Sequence, residues 1–242
     1  LRFTAEDASR TDLNFLIQVG QMVQESGADR FSLADTVGCL TPTKMKVLVS
    51  RIVSELDIPI HVHCHNDFGM ATANAVSALE AGAQCVDVAV NGLGERCGLP
   101  PLAEVVTALT HIYKVNGIWN LKMIPELTEL VDMFSKLDSN ANRPIIGKNA
   151  FTHKAGLHVK AVVKEPTSYE AISPESLNRK RHLVIDKYSG KSALNNRLLE
   201  IGFIVSEKEL DNLLKKIKAT PIMVNWGDED IISLAKSLGI KV

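Results

Sequence analysis

The chain has 242 residues, 45% of them hydrophobic, which is ample for one large core or two smaller ones. Its 27 basic and 28 acidic residues give a formal net charge of −1 with no basic run, so nucleic acid is not expected as a partner. No apolar stretch is long enough for a membrane span, and no signal peptide is recognisable. Four scattered cysteines (Cys39, Cys64, Cys85, Cys97) lack Cys-x-x-Cys spacing, so the expectation is a reducing, cytoplasmic setting.

Residues 1–5 read as a strand with no lead-in, which raises the expectation of a fragment or of the later part of something larger. Leu13, Leu16, Ile17 and Val23 predict a helix over about 11–26, with Gly27 suited to its left-handed cap. A strand at 30–34 precedes a helix after Pro42, whose face carries Val47, Leu48, Ile52 and Val53. A strand at 60–65 leads to a helix over 71–81 closed by Gly82. A strand at 85–90 then precedes a helix over 102–113. The sum is (βα)4. Glu25-Ser26-Gly27-Ala28-Asp29 and Glu80-Ala81-Gly82-Ala83-Gln84 share a helix end and a glycine cap before a strand. Such repetition favours a barrel or an open parallel sheet, though convergent capping explains so short a match equally.

Beyond residue 114 the alternation stops. Pro125 suits the first turn of a helix to about 137, and 138–142 reads as a loop. Residues 151–163 read as a helix carrying His153 and His158. Ser206-Glu207-Lys208-Glu209 is a capping box opening a helix to about 217, and a last helix covers about 228–238. The expected division is 1–113 as the βα region and 114–242 as small, mainly helical subdomains.

The richest stretch is Ile60-His61-Val62-His63-Cys64-His65-Asn66-Asp67. Strand alternation sets the histidines on one face and Cys64 on the other, towards the outer helices. His63 and His65, about 7 Å apart along a strand by the rise per residue, can grip one metal ion. They stand at the strand end where α/β enzymes gather their active sites. Taken alone, the motif fits scattered histidines in a half-buried strand as well. His61 lies deeper, where packing or support of a ligand is expected in place of ligation. The other strand ends are also polar: Arg2, Thr4 and Glu6; Asp35 and Thr36; Asn91-Gly92-Leu93-Gly94-Glu95-Arg96. Gly92, Gly94 and Gly98 read equally as turn residues.

Four segments, Arg2-Phe3-Thr4-Ala5-Glu6-Asp7, Ala34-Asp35-Thr36-Val37-Gly38, His63-Cys64-His65-Asn66-Asp67 and Asn91-Gly92-Leu93-Gly94-Glu95-Arg96, resemble one known series. They are similar to the successive strand ends of the Claisen-condensing metalloenzymes, the isopropylmalate, citramalate and homocitrate synthases. Phe151-Thr152-His153-Lys154-Ala155-Gly156-Leu157-His158 and Tyr169 resemble that family's helical subdomain, so the likeness covers nearly the whole chain in order. It implies an α/β fold: the C-terminal half of a (βα)8 TIM barrel, its last four βα units, followed by small mainly helical subdomains that complete the site and a dimer.

The resemblance further implies acetyl-CoA and a 2-oxo acid as substrates, and a divalent Mg, Mn or Zn ion on His63 and His65. It implies that Arg2, Thr4 and Thr36 bind carboxylate or keto oxygens and that Glu6 and His158 are acid/base groups. Tyr169 would reach into the neighbouring subunit's site. The first four βα units would come from a partner chain carrying an Arg-Asp-Gly-Glu-Gln type motif, as in split enzymes associated with nitrogen fixation, with a truncated chain as the alternative. Half a barrel alone would expose unpaired strand edges. Leu99 stands where isopropylmalate synthases carry Asn, and no leucine-type regulatory domain is expected after Val242. Both lean towards the homocitrate synthases and 2-oxoglutarate. Lys187-Tyr188-Ser189-Gly190-Lys191 resembles a recurring family segment, but a surface helix start explains it as well. An amidohydrolase-type zinc site would need a further His or Lys at the end of the 85–90 strand, and none is there. A non-catalytic subunit and a related lyase remain as rivals.

Overall fold

The computed structural model describes residues 1–137, 140–154, 156–221 and 226–240, apart from the side chains of 156, 157 and 160. Asp138 and Ser139 of the expected loop, and Ala155 of the histidine-bearing motif, lie outside the described residues. Two compact units divide the chain: Leu1–Ser139 with Pro144–Ile146, and Asn140–Arg143 with Gly147–Val242.

The first unit runs β1 (Arg2–Ala5), α1 (Leu13–Glu25), β2 (Arg30–Asp35), α2 (Pro42–Val53), β3 (Ile60–Cys64), α3 (Ala71–Glu80), β4 (Cys85–Val86), α4 (Leu102–His111) and α5 (Ile124–Ser135). Capping fixes where the helices start. Asp12 accepts from Phe15 N at 3.0 Å to open α1, and Thr41 caps α2 just before Pro42, a residue that needs no N–H partner in the first turn. The strands form one parallel sheet in the order β1-β2-β3-β4. Parallel register aligns Phe3 with Phe31 and Phe31 with Ile60, so one face of the sheet is apolar. There Phe31, Leu33, Ile60, Val62 and Cys64 are buried with Leu16, Met45, Val49 and Ile52 from the helices. Each large side chain so buried contributes about 1.5–3 kcal/mol. Cys64 therefore points to the helices as expected, and burial pushes its thiol far above the usual range.

The structure corrects three expectations here. β4 ends at Val86 and not near residue 90, because Ala89 leaves the sheet direction. Its N–H donates to Pro100 O at 3.0 Å and its carbonyl accepts from Leu102 N at 2.8 Å, drawing the chain to the start of α4. Next, α4 stops at His111. Most consequentially, the compact unit continues past residue 113 through α5. Asn91 Nδ2 donates to Thr128 O at 2.9 Å and to Asp132 Oδ1 at 2.8 Å, fastening α5 to the loop after β4.

The second unit contains β5 (Thr152–His153), α6 (Gly156–Lys164), β6 (His182–Leu183), α7 (Lys191–Glu200), α8 (Glu207–Lys218) and α9 (Asp228–Ser237). Its core gathers Leu194, Leu198, Phe203, Leu213, Ile217, Ile231 and Ala235. The capping box forms as expected, with Ser206 N donating to Glu209 Oε2 at 2.7 Å and Glu209 N to Ser206 Oγ at 3.4 Å. His153 is a correction. It lies on a strand paired in parallel with β6, not on the helix with His158, because Val184 N donates to His153 O and His182 N to Phe151 O, each at 2.9 Å. No helix among the described residues is long and apolar enough to cross a membrane.

Candidate active site

The face of the sheet opposite the apolar core carries the chemistry. Register places Thr4 beside Ser32, Ser32 beside His61, and Ala34 beside His63, with Arg2 two residues before Thr4. Asp87 continues β4 by donating its N–H to Val62 O at 3.0 Å. Its carboxylate meets both histidines: Oδ1 lies 2.9 Å from His61 Nε2, and Oδ2 lies 2.7 Å from His63 Nδ1. Hydrogen bonds from His61 and then His63 hold the Asp87 carboxyl far below the usual carboxylate range, against the opposing effect of burial. Arg2 Nη1 lies 3.2 Å from His61 Nδ1 and 3.5 Å from Asp87 Oδ1. His61 is buried, as its depth in the strand suggested.

His63 and His65 converge. Their Nε2 atoms are 3.2 Å apart, with ring centroids at 5.0 Å and planes tilted by 60°. Two nitrogens each about 2.1 Å from one metal ion, at bond angles between octahedral and tetrahedral, stand about 3.0–3.4 Å apart. The pair therefore has the spacing of two ligands to one cation. Burial, followed by the Arg96 and His63 charges, lowers the pKa of His65 and so favours the neutral ring, the form a metal requires. His65 Nδ1 is buried and has no partner among the described residues. No group of three or more His, Cys, Asp or Glu gathers for a metal among the described residues, so this chain offers two imidazoles.

The loops after the strands are locked to one another. Arg96, itself at φ 55°, donates through Nε to Asp67 Oδ1 at 2.7 Å and through Nη2 to Asp67 Oδ2 at 3.1 Å and Thr36 O at 2.6 Å. The Arg96 hydrogen bonds hold the Asp67 carboxyl below its usual range. Thr36 Oγ1 accepts from Asp7 N at 2.8 Å, which joins the loops after β1 and β2 and leaves the hydroxyl proton to donate elsewhere. Gly98 is required where it stands: at φ 80° an added Cβ would sit 1.8 Å from Gly92 O, while Gly98 O accepts from Asn66 N at 2.9 Å. Thr4 is exposed on β1, and Glu6 is exposed in the turn after it.

His158 on α6 and Tyr169, just after a 3-10 turn at Pro166–Ser168, stack in the second unit with ring centroids 4.2 Å apart and planes at 30°. Both side chains are exposed. The residues expected to act thus fall into two groups: Arg2, Thr4, Glu6, Thr36, His63 and His65 in the first unit, and His158 and Tyr169 in the second. Sequence reasoning missed Asp87. The available signal was its position two residues after Cys85, which pairs with His61, so Asp87 shares the parity of His63. It also missed Glu170, which sits between His153 Nε2 at 3.0 Å and a bidentate Arg181.

Residues 1–131 match the HMGL-like family, and residues 145–222 match a family described as homocitrate synthase post-HMGL domain-like. The chain belongs to the HMGL-like family. Homocitrate synthase of Sulfurisphaera tokodaii is 44% identical over 239 residues, covering 98% of this chain and 52% of that protein. A protein of Methanopyrus kandleri, named a probable 2-isopropylmalate synthase, is 43% identical over 218 residues, covering 90% of this chain and 44% of that one. The chain spans about half the length of the curated relatives it matches. The structure of Bacillus subtilis HMG-CoA lyase superposes with a TM-score of 0.51 at 20% identity, over 57% of this chain and 51% of that one, and so shares the fold.

Proposed function

We propose that this chain is the C-terminal half of the barrel of an acetyl-CoA-dependent acyltransferase, which condenses acetyl-CoA with 2-oxoglutarate to give homocitrate and CoA. The observation that carries the reading is the convergence of His63 and His65 Nε2 at 3.2 Å, on the polar sheet face that also bears Arg2. The likeness to a homocitrate synthase over 98% of the chain supports it. A second polypeptide supplies the first four βα units, and such pairs form a dimer. The support is physical: the parallel sheet ends in β1 and β4 as edge strands, and edges of this kind are closed in a barrel. We place the enzyme in the cytoplasm, in keeping with four free cysteines.

A divalent ion (Mg²⁺, Mn²⁺ or Zn²⁺) held by His63 and His65 would supply Lewis acidity to the keto carbonyl. Arg2 commits Nη1 to His61 and Asp87, while Nε and Nη2 have no partner among the described residues. They present the fork that takes a carboxylate bidentately. Thr36 donates its hydroxyl proton to a substrate oxygen, and Thr4 flanks Arg2 on the same face. His158 and Glu6 are the acid/base groups, and one of them takes a proton from the acetyl methyl group. The resulting carbanion bonds to the keto carbon of 2-oxoglutarate, whose oxygen takes up a proton. Water then cleaves the thioester, releasing CoA and making the sequence irreversible. Tyr169 completes the site of the neighbouring subunit.

The test is a CoA-release assay with 2-oxoglutarate, 2-oxoisovalerate and pyruvate in competition. A higher kcat/KM for 2-oxoglutarate is expected. A preference for 2-oxoisovalerate or pyruvate moves the enzyme to isopropylmalate or citramalate synthesis, a reading favoured by the likeness to the Methanopyrus protein.

A further inference from the structure

One carboxylate stands between the histidine expected to hold the metal and the arginine expected to hold the substrate. Asp87 Oδ2 is 2.7 Å from His63 Nδ1, and Oδ1 is 2.9 Å from His61 Nε2. Beside the His61 ring, Arg2 Nη1 lies 3.2 Å from Nδ1, 3.4 Å from Nε2 and 3.5 Å from Asp87 Oδ1. A guanidinium only donates and a carboxylate only accepts, so the roles along this chain of contacts are fixed. Arg2 donates to His61 Nδ1, its nearer ring nitrogen, and to Asp87 Oδ1 directly, and His61 donates through Nε2 to Asp87. His63 donates through Nδ1 to the other oxygen. As a neutral imidazole, His63 then keeps its lone pair on Nε2, the atom 3.2 Å from His65 Nε2.

We propose that Asp87 is a positioning residue with two tasks. Through Oδ2 it sets the tautomer and ring orientation of His63 that leave Nε2 open to a divalent cation. Through Oδ1 and the buried His61 it sets where Arg2 stands to receive an anionic substrate. The inference rests on reading His63 and His65 as metal ligands. A carboxylate is suited to both tasks at once, because each oxygen meets one imidazole N–H. An amide in its place would meet one N–H with its oxygen and oppose the other with its NH₂. Ligand histidines are generally oriented by such a contact, and losing it weakens metal affinity about 10–100-fold.

The experiment uses the intact natural protein with Asp87→Asn, Asp87→Ala and His61→Gln, each checked for native circular dichroism. Imidazole ¹⁵N shifts of the metal-free protein report the His63 tautomer, competition with a fluorescent chelator reports Zn²⁺ affinity, and steady-state kinetics report KM for the 2-oxo acid. In the native protein His63 is expected wholly as the Nδ1–H form. Both Asp87 variants should give a tautomer mixture, a Zn²⁺ affinity about 10–100-fold weaker, and a raised KM. His61→Gln should raise KM while leaving Zn²⁺ affinity and the His63 tautomer unchanged. Because this last variant spares His63, it separates the two tasks even if the Asp87 variants fold poorly. Native Zn²⁺ affinity in Asp87→Ala, or an unchanged His63 tautomer, would overturn the proposal while leaving the metal reading in place. Native Zn²⁺ affinity in His63→Ala would remove the metal reading itself, and Asp87's role with it.

Discussion

Arg96, in the loop after β4, grips both carboxylate oxygens of Asp67 at the end of β3, at 2.7 and 3.1 Å, while its Nη2 also holds Thr36 O at 2.6 Å. One planar side chain therefore ties together the ends of three strands. The pair is solvent-accessible and screened, so Arg96→Lys should change stability little. Lysine cannot reproduce the fork, and the loops carrying Thr36 and His65 should shift. Activity is expected to fall about 100-fold, the effect of roughly 1 Å of misplacement. Chemical denaturation set beside kcat/KM checks this; a loss of stability without a loss of activity would contradict it.

His63→Ala and His65→Ala should each abolish metal-dependent activity while leaving the far-ultraviolet circular dichroism native. Both rings face away from the apolar core formed by Phe31, Leu33, Ile60, Val62 and Cys64. Metal content measured after dialysis decides the matter. Full activity with metal retained in both variants would end the assignment.

Gly98→Ala should be among the most damaging small substitutions in the first unit. The added methyl would meet Gly92 O at 1.8 Å on a backbone held at φ 80°. The clash is with main chain and cannot be relieved by a rotamer change, so a loss of about 2–4 kcal/mol is expected. Thermal denaturation against a Gly69→Ala control, where an added Cβ meets nothing within 4 Å although φ is also positive, separates the clash from the backbone preference.

Acid should destabilise the second unit through Glu170. Burial opposes its ionisation, but the hydrogen bonds from Arg181 and His153 outweigh burial and hold its pKa below the usual value. A carboxyl lowered on folding contributes stability that is complete above its unfolded pKa, about 4.3. That contribution is lost as pH falls through the folded value. Glu170→Gln should therefore reduce stability at pH 7 and flatten the dependence of stability on pH below about 4. An unchanged acid limb in denaturation curves would count against this.

Expressed without the first four βα units, the chain should be inactive and poorly soluble, because both edge strands of its sheet would be left unpaired. Co-expression with those units should restore solubility and condensation together. Enzyme-like turnover by the isolated chain would refute the divided-barrel proposal.

The sequence alone determined the local order: the four βα units, the cap at Gly27, the Ser206–Glu209 capping box and the outward turn of Cys64. Each follows from chemistry within a few residues of itself, periodicity and capping above all. The polar strand ends were legible for the same reason, since parity along β3 sets His63 and His65 on one face. The length of β4 was not legible, because Ala89 is drawn away by Pro100 and Leu102 from outside the strand. Nor was the strand at His153, which exists through its pairing with His182 and Leu183, about thirty residues on. Asp87 escaped notice for a similar reason. It is an ordinary aspartate until parallel pairing brings β4 beside β3, and only then does one carboxylate reach two imidazoles. Tertiary structure decided these points because hydrogen bonds between distant segments outweigh the weak local preference of short strands and loops.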